Sequence, residues 1–255
     1  MSLQRLKPVL PPLVALLLLL IAWEGVVRFY EIPTYILPSP LVVAAEFIRD
    51  GAGLWRSYLF TLKTTFIAMG AATLVGVVGA VAFTESALLS ASLFPYAVIL
   101  QVTPIVAIAP LILIYIPDPF EAVLLCATLV AFFPVLANTT VGLRSVDPGH
   151  LKLFRLYGAS RLQILLHLRF PGALPYFLSG LKIAGGLSLV GAVVAEFAAG
   201  SAGTETGLAY RILESGYRLN IPGMFACLFM LSLTGILIFG ALTLIQHLLL
   251  RRWHD

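Results

Sequence analysis

The sequence predicts an all-α, polytopic membrane protein with six spanning helices. Composition is the first reason: 60% of the 255 residues are hydrophobic and only 11% are charged, against about 45–50% and roughly 25% in soluble domains. The second is a mean hydropathy of +1.01. The third is the recurrence of apolar runs long enough to cross a bilayer, about 20 residues each. They lack the ten-residue alternation of a barrel strand, so the backbone must satisfy its own polar groups as helix. A soluble globule, a disordered chain and a coiled coil are excluded. Length alone would suit one or two soluble domains, but composition overrides it.

The expected spans are 9–28, 60–83, 92–116, 120–142, 174–200 and 222–250. Arg5 and Lys7 precede the first, in the manner of a secretory signal. Pro11 and Pro12 interrupt its start, no small-x-small cleavage site follows and five spans come after it, so it is read as a retained span. Segment 31–59 opens with the turn-rich stretch Ile32 to Pro40. It continues as an amphipathic stretch from Leu41 to Tyr58, either an interfacial helix or a loop helix packed on the bundle. In the third span Pro95, Pro104 and Pro110 predict a kinked or locally opened helix. Residues 1–255 read as one transmembrane domain, with no repeat and no linker to a soluble domain.

Six spans place both termini on one side. That side carries nine Lys/Arg, Arg5, Lys7, Arg251 and Arg252 among them, and the other carries six. Loop 143–173 alone holds five against one acid, Asp147. The positive-inside rule therefore puts this loop and both termini in the cytoplasm. The net charge of +4 follows from the same bias and does not indicate nucleic acid. Cys126 and Cys227 sit in apolar runs and supply neither a disulfide framework nor a zinc site.

Several chemistries are missing. All four lysines follow leucine, so no phosphate loop is present, and any nucleotide hydrolysis belongs to another chain. No H-E-x-x-H, no G-x-S-x-G and no aspartate pair in facing spans supports an intramembrane enzyme. His150, His167, His247 and His254 have no metal-ligand neighbours at helical spacing. No catalytic, cofactor or metal residue is therefore assigned. A secondary carrier usually has several ionisable groups at mid-membrane; only Lys182 and Glu196 qualify. A self-sufficient secondary transporter or channel stays as the alternative.

Polar residues inside spans are candidates for a translocation pathway: Gln101 and Thr103 beside Pro104, Asn138, Ser188 and Glu196. Each has a plainer reading. Gln101 and Asn138 suit interhelical hydrogen bonds. Glu196 suits a structural pair with Lys63 or another basic group, or protonation when buried, and the structural role is favoured because a carboxylate repels an anionic solute. Lys182 suits snorkelling to the cytoplasmic interface. Gly185, Gly186 and Gly191 suit close helix packing, for example across a dimer.

Loop 147–170 carries the strongest signal. Asp147 can cap a short helix with Pro148 at its first position. Leu151, Phe154 and Tyr157 share a face, and Gly158 ends the helix. Ser160 and Gln163 have capping-box spacing for a second helix, which Pro171 and Pro175 are expected to stop. A basic, amphipathic helix pair of this kind is a docking surface.

Gly158-Ala159-Ser160 followed by Pro171 and Pro175 resembles the Glu-Ala-Ala loop of ABC importer permeases. Leu37-Pro38-Ser39-Pro40, the run from Gly142 to Pro148, Gly191 to Phe197 and Gly207 to Tyr210 resemble the nitrate/sulfonate/taurine branch. The resemblance implies the type I importer permease fold. It implies a coupling surface for an ATPase pair at Lys152, Phe154, Arg155, Gly158, Ala159, Ser160, Arg161 and Gln163. It further implies a second permease copy, a periplasmic or lipid-anchored binding protein, and ATP and Mg held by the ATPase rather than by this chain. The setting is the bacterial inner membrane and its lipid. Branch substrates are small and polar, and the stretch from Arg169 to Lys182 looks closer to the thiamine-precursor pyrimidine and riboflavin types. One departure stands out: Lys152-Leu153-Phe154 replaces Glu-Ala-Ala, a base in place of the acid.

Overall fold

A computed structural model describes residues 10–200 and 206–251. Arg5, Lys7, Arg252 and His254 lie outside the described residues. The helices are α1 (Leu10–Phe29), α2 (Pro40–Arg49), α3 (Gly51–Glu85), α4 (Ala87–Val102), α5 (Ile105–Tyr115) and α6 (Pro119–Arg144). They continue as α7 (Pro148–Leu156), α8 (Arg161–Ile164), a π-helical turn (Leu165–Arg169), α9 (Phe170–Ala199), α10 (Leu208–Tyr217) and α11 (Ile221–Leu250). Five helical stretches are long and apolar enough to cross a membrane: α1, α3, α6, Arg161–Ala199 and α11.

Three expected boundaries move. The third span, 92–116, is broken, as its prolines suggest, into the pair α4 and α5, bent by 100° and making a sixth span when the pair is taken as one. Thr103 and Pro104 both adopt extended backbone at the break, because proline lacks an N–H and disfavours helix in the residue before it. Pro95 and Pro110 stay inside their helices. The stretch Leu41–Tyr58 is not one helix: Asp50 leaves helical geometry, and Gly51 already begins α3. Pro171 and Pro175 do not stop the helix before span five. The π-turn joins α8 to α9 without a gap, and Pro171 falls at the start of the new α-helical run, where no α-helical N–H is needed.

Helices α6 and α9 run antiparallel along the centre. Small residues let their backbones meet. A methyl added at Gly142 would lie 2.9 Å from the Ala173 Cα, at Gly180 2.7 Å from the Pro134 carbonyl oxygen, and at Gly191 2.8 Å from the Ala127 Cα. Gly191 thus packs within this chain, on α6, and Gly185 faces Leu242 and Ile238 of α11, while Gly186 is open. Helix α3 joins this pair through Ala68, Ala72, Gly76 and Ala80, a stripe with helical spacing in which every alanine is buried. Bilayer helices associate through such close van der Waals fit rather than through the hydrophobic effect.

The two ends differ. At one end α2 and α10 pack on α11, with Val43, Leu208, Ile212 and Cys227 in a shared core. Asn220 Nδ2 donates to the buried Glu46 Oε1 at 2.8 Å, and Arg211 pairs with Asp50. Helix α2 therefore packs on the bundle along one face while Ile48 stays exposed. At the other end Arg144 Nη2 donates to the Phe83 carbonyl at 2.5 Å and to Ser90 Oγ at 2.9 Å, closing the α3–α4 corner. Arg169 pairs with Glu85 at 2.8 Å.

The glycine contacts give a direct test. Gly180→Ala should destabilise the protein by about 1–3 kcal/mol through overpacking. Gly70→Ala, where the added carbon meets nothing within 4 Å, should leave the thermal midpoint in detergent unchanged or slightly raised. Equal midpoints for the two variants would refute the close α6–α9 contact.

Candidate functional site

Local chemistry builds the segment from Asp147 to Arg169. Asp147 Oδ1 accepts from the N–H of Gly149 at 2.6 Å and of His150 at 3.2 Å, capping α7 behind Pro148. The helix closes with the Gly158 N–H on the Arg155 carbonyl and the Ala159 N–H on the Phe154 carbonyl, both at 3.0 Å. Gly158 has φ +72, a left-handed conformation that glycine adopts without steric cost. The capping box forms in full. The Ser160 N–H donates to Gln163 Oε1 at 2.7 Å, and the Gln163 N–H donates to Ser160 Oγ at 3.2 Å. His167 Nδ1 lies 3.1 Å from the Gln163 carbonyl. The Phe170 N–H then reaches back to Leu165, which is the π-helical register.

The resulting surface has two characters. One side is a groove of about 450 Å³ lined by Leu153, Phe154, Tyr157, Ala159, Gln163 and His167. Tyr157 in the groove and its neighbour Leu156 are both more than 80% exposed, so apolar surface lies open here. The other side is cationic. Lys152, Arg155 and Arg161 are exposed there, while Asp147 is engaged as a cap. The structure thus gathers Lys152, Phe154, Arg155, Gly158, Ala159, Ser160, Arg161 and Gln163 into one feature. It adds Leu153, Tyr157 and His167 to them.

The five pathway candidates are not gathered in this way. Thr103 donates to the Ile99 carbonyl at 2.6 Å, Asn138 to the Pro134 carbonyl at 2.8 Å and Ser188 to the Ala184 carbonyl at 2.7 Å. Each of the three thus makes a hydrogen bond within its own helix. Gln101 is exposed on α4. Glu196 is 2% exposed and fully engaged: Thr61 Oγ1 donates to Oε1 at 2.8 Å and the Ala209 N–H to Oε2 at 3.0 Å. The Leu208 N–H donates in turn to Thr61 Oγ1 at 2.9 Å. The carboxylate therefore pins the start of α10 to α3 and α9. Any β-carbon at Gly207 would collide with that carboxylate, so the close approach needs glycine there. The expected pair with Lys63 is absent; its ammonium lies 4.7 Å from the centre of the Phe120 ring instead. Lys182 likewise sits 5.0 Å above the Phe239 ring of α11, a cation–π contact rather than free snorkelling.

The model of a family described as binding-protein-dependent transport system inner membrane component matches residues 72–253. A probable ABC transporter permease protein of Haemophilus influenzae is 32% identical over 238 residues, 93% of this chain and 96% of that protein. The formylaminopyrimidine transport permease protein ThiX of Halalkalibacterium halodurans is 31% identical over 97% of each chain. The riboflavin transport system permease protein RibX of Chloroflexus aurantiacus is 33% identical over 98% of this chain and 93% of its own. In fold, the chain resembles an inward-facing MetNI methionine ABC transporter, with TM-score 0.64 and 20% identity, over 76% of this chain and 94% of that one.

Glu196→Ala orphans the Thr61 hydroxyl and the Ala209 N–H, at about 1–3 kcal/mol for each buried group left unpaired. A lower melting temperature in detergent and faster tryptic cleavage after Arg211 are expected. Glu196→Gln keeps the volume and one acceptor and should lose less. An unchanged melting temperature in Glu196→Ala would remove the pin.

Proposed function

The chain belongs to the family of binding-protein-dependent transport system inner membrane components, as a permease of the ABC importer type and of its nitrate/sulfonate/taurine branch, and on that premise we propose how this molecule does its part. Residues 1–255 act as one transmembrane unit, and two copies enclose the pore. Both termini and the segment 147–170 face the cytoplasm, where an ATPase pair docks. ATP and Mg are bound there, not here. A binding protein delivers solute to the opposite end, where α2 and α10 lie. The solute is small and either polar or heteroaromatic. The relatives named for formylaminopyrimidine and riboflavin transport favour a pyrimidine or flavin type over an inorganic anion.

The observation that carries this reading is the fully capped segment with Gly158 at its break. Helix α7 is a separate lever, joined at Gly158. Helix α8 is the leading end of the span α9, joined through the π-turn. ATP-driven closure of the partner subunits then moves α7 and α8 together and passes along α9 into the spans. Transport is alternating access, a shift between two populated states rather than chemistry in this chain. Lys152-Leu153-Phe154 makes the contact apolar and cationic, so the matching groove on the ATPase is apolar at its floor and acidic at its rim.

Mass spectrometry of the tagged chain, purified gently from its host, tests the reading. A P-loop ATPase should accompany the wild type. Gly158→Val should lose it, since a left-handed conformation costs about 1–2 kcal/mol for a residue with a β-carbon, whereas asparagine tolerates that region and Gly158→Asn should retain it. Lys152→Glu should weaken the association; stronger association would show that Lys152 is not a matched contact. A chain that purifies alone and moves solute into liposomes without ATP would overturn the importer reading in favour of a secondary carrier.

A further inference from the structure

Behind α7, on the side away from the apolar groove, lies a second cavity of about 440 Å³. The end of α3 contributes Thr84 and Glu85, α7 contributes Arg155, α8 contributes Arg161 and the π-turn contributes Arg169. Three arginines and one glutamate thus line the cavity. Glu85 is engaged by Arg169 at 2.8 Å. Arg155 and Arg161 have no ion-pair partner among the described residues. The cavity keeps an excess of two positive charges.

Its position matters as much as its charge. Glu85 ends α3 and Arg144 ends α6 at this end of the bundle, so the cavity lies where spanning helices give way to the polar boundary. It shares only Ala159 with the apolar groove, so the two openings are separate, and a partner that fills the groove alone leaves the cavity open. Guanidinium groups match phosphate oxygens in charge and in paired N–H geometry. Basic pockets between helices on the cytoplasmic side are suited to phospholipid headgroups.

We propose that this cavity binds a phosphate group, carried by an anionic phospholipid or free in the cytoplasm. Held between Arg155 and Arg161, the phosphate bridges α7 and α8 across the Gly158 break and braces both against the end of α3.

The test uses the full chain with whatever subunits accompany it. Native mass spectrometry counts phospholipids retained in gentle detergent, and the wild type should hold an anionic one. Each arginine near a membrane surface contributes about fivefold to such binding, so Arg155→Gln and Arg161→Gln should each lower retention by about that factor. In phosphatidylcholine nanodiscs, phosphatidylglycerol or inorganic phosphate should slow amide exchange across residues 149–162. Slowing by the lipid alone identifies a headgroup site, and slowing by inorganic phosphate alone identifies a soluble ligand. Exchange indifferent to both overturns the proposal, as does exchange slowed by the lipid with equal lipid retention in wild type and variants. So does loss of the ATPase from the variants with both lipid retention and the slowing of exchange unchanged, which would assign the arginines to the protein contact. Both readouts are made on this chain, so they report even where no ATPase accompanies it. Arg155→Lys, which keeps the charge but not the fork, should retain more lipid than Arg155→Gln and serves if the glutamine variants do not fold.

Discussion

Inside a bilayer, lipid tails are as apolar as leucine, so the hydrophobic effect does not press one spanning helix onto another. Helices α6 and α9 meet instead by surface fit, through Gly142 on Ala173, Gly180 on Pro134 and Gly191 on Ala127. The rest of the chain is arranged around that contact. Helix α3 adds its alanine stripe to the pair, with Ala72 clustered against Ala131, Val135 and Ala184. The bent pair α4–α5 covers the outside of α6 in two steps. Ala97 packs near Leu136 toward one end, and Ala109 packs with Val123 and Cys126 toward the other. Because α6 leads into segment 147–170 and α9 leads out of it, that segment is held at both ends by the two most tightly apposed helices.

Polar groups in the spans follow a simple economy. Thr65, Thr73, Thr128, Thr140, Ser188 and Thr234 donate to the carbonyl four residues earlier, which hides the hydroxyl without tying one helix to another. Thr61 is different. It donates to Glu196 and accepts from Leu208, so one hydroxyl links α3, α9 and α10. A carboxylate with donors on both oxygens is tolerable at this depth, whereas an unpartnered one would be costly.

Features made by neighbours in sequence were legible from the sequence. The Asp147 cap, the glycine break and the Ser160–Gln163 box are all set within four residues and appear as the sequence suggests. Hydropathy located the apolar stretches, because bilayer thickness imposes one length on all of them. Junctions were less legible. Pro171 and Pro175 are ordinary helix-stop signals, yet the widened turn before them carries the helix through. No propensity encodes that turn. Contacts between distant residues left no trace: Thr61 and Glu196 are 135 positions apart, and Lys63 gave a plausible but wrong partner for the glutamate. Pro104 signalled a disturbance in the third apolar stretch, but not that the chain would turn by 100°.

The π-turn at Leu165–Arg169 also fixes an azimuth. Each residue of an α-helix advances the side chains by about 100° around the axis, so a turn holding one extra residue offsets everything upstream from the face that α9 would otherwise dictate. Were those five residues to tighten into α-helical register, α8 and the Gly158 joint would swing around the axis of the span while translating by about 1.5 Å. A change of hydrogen-bond register at one turn would then act as a torque. A junction of this kind can be twisted as well as pushed.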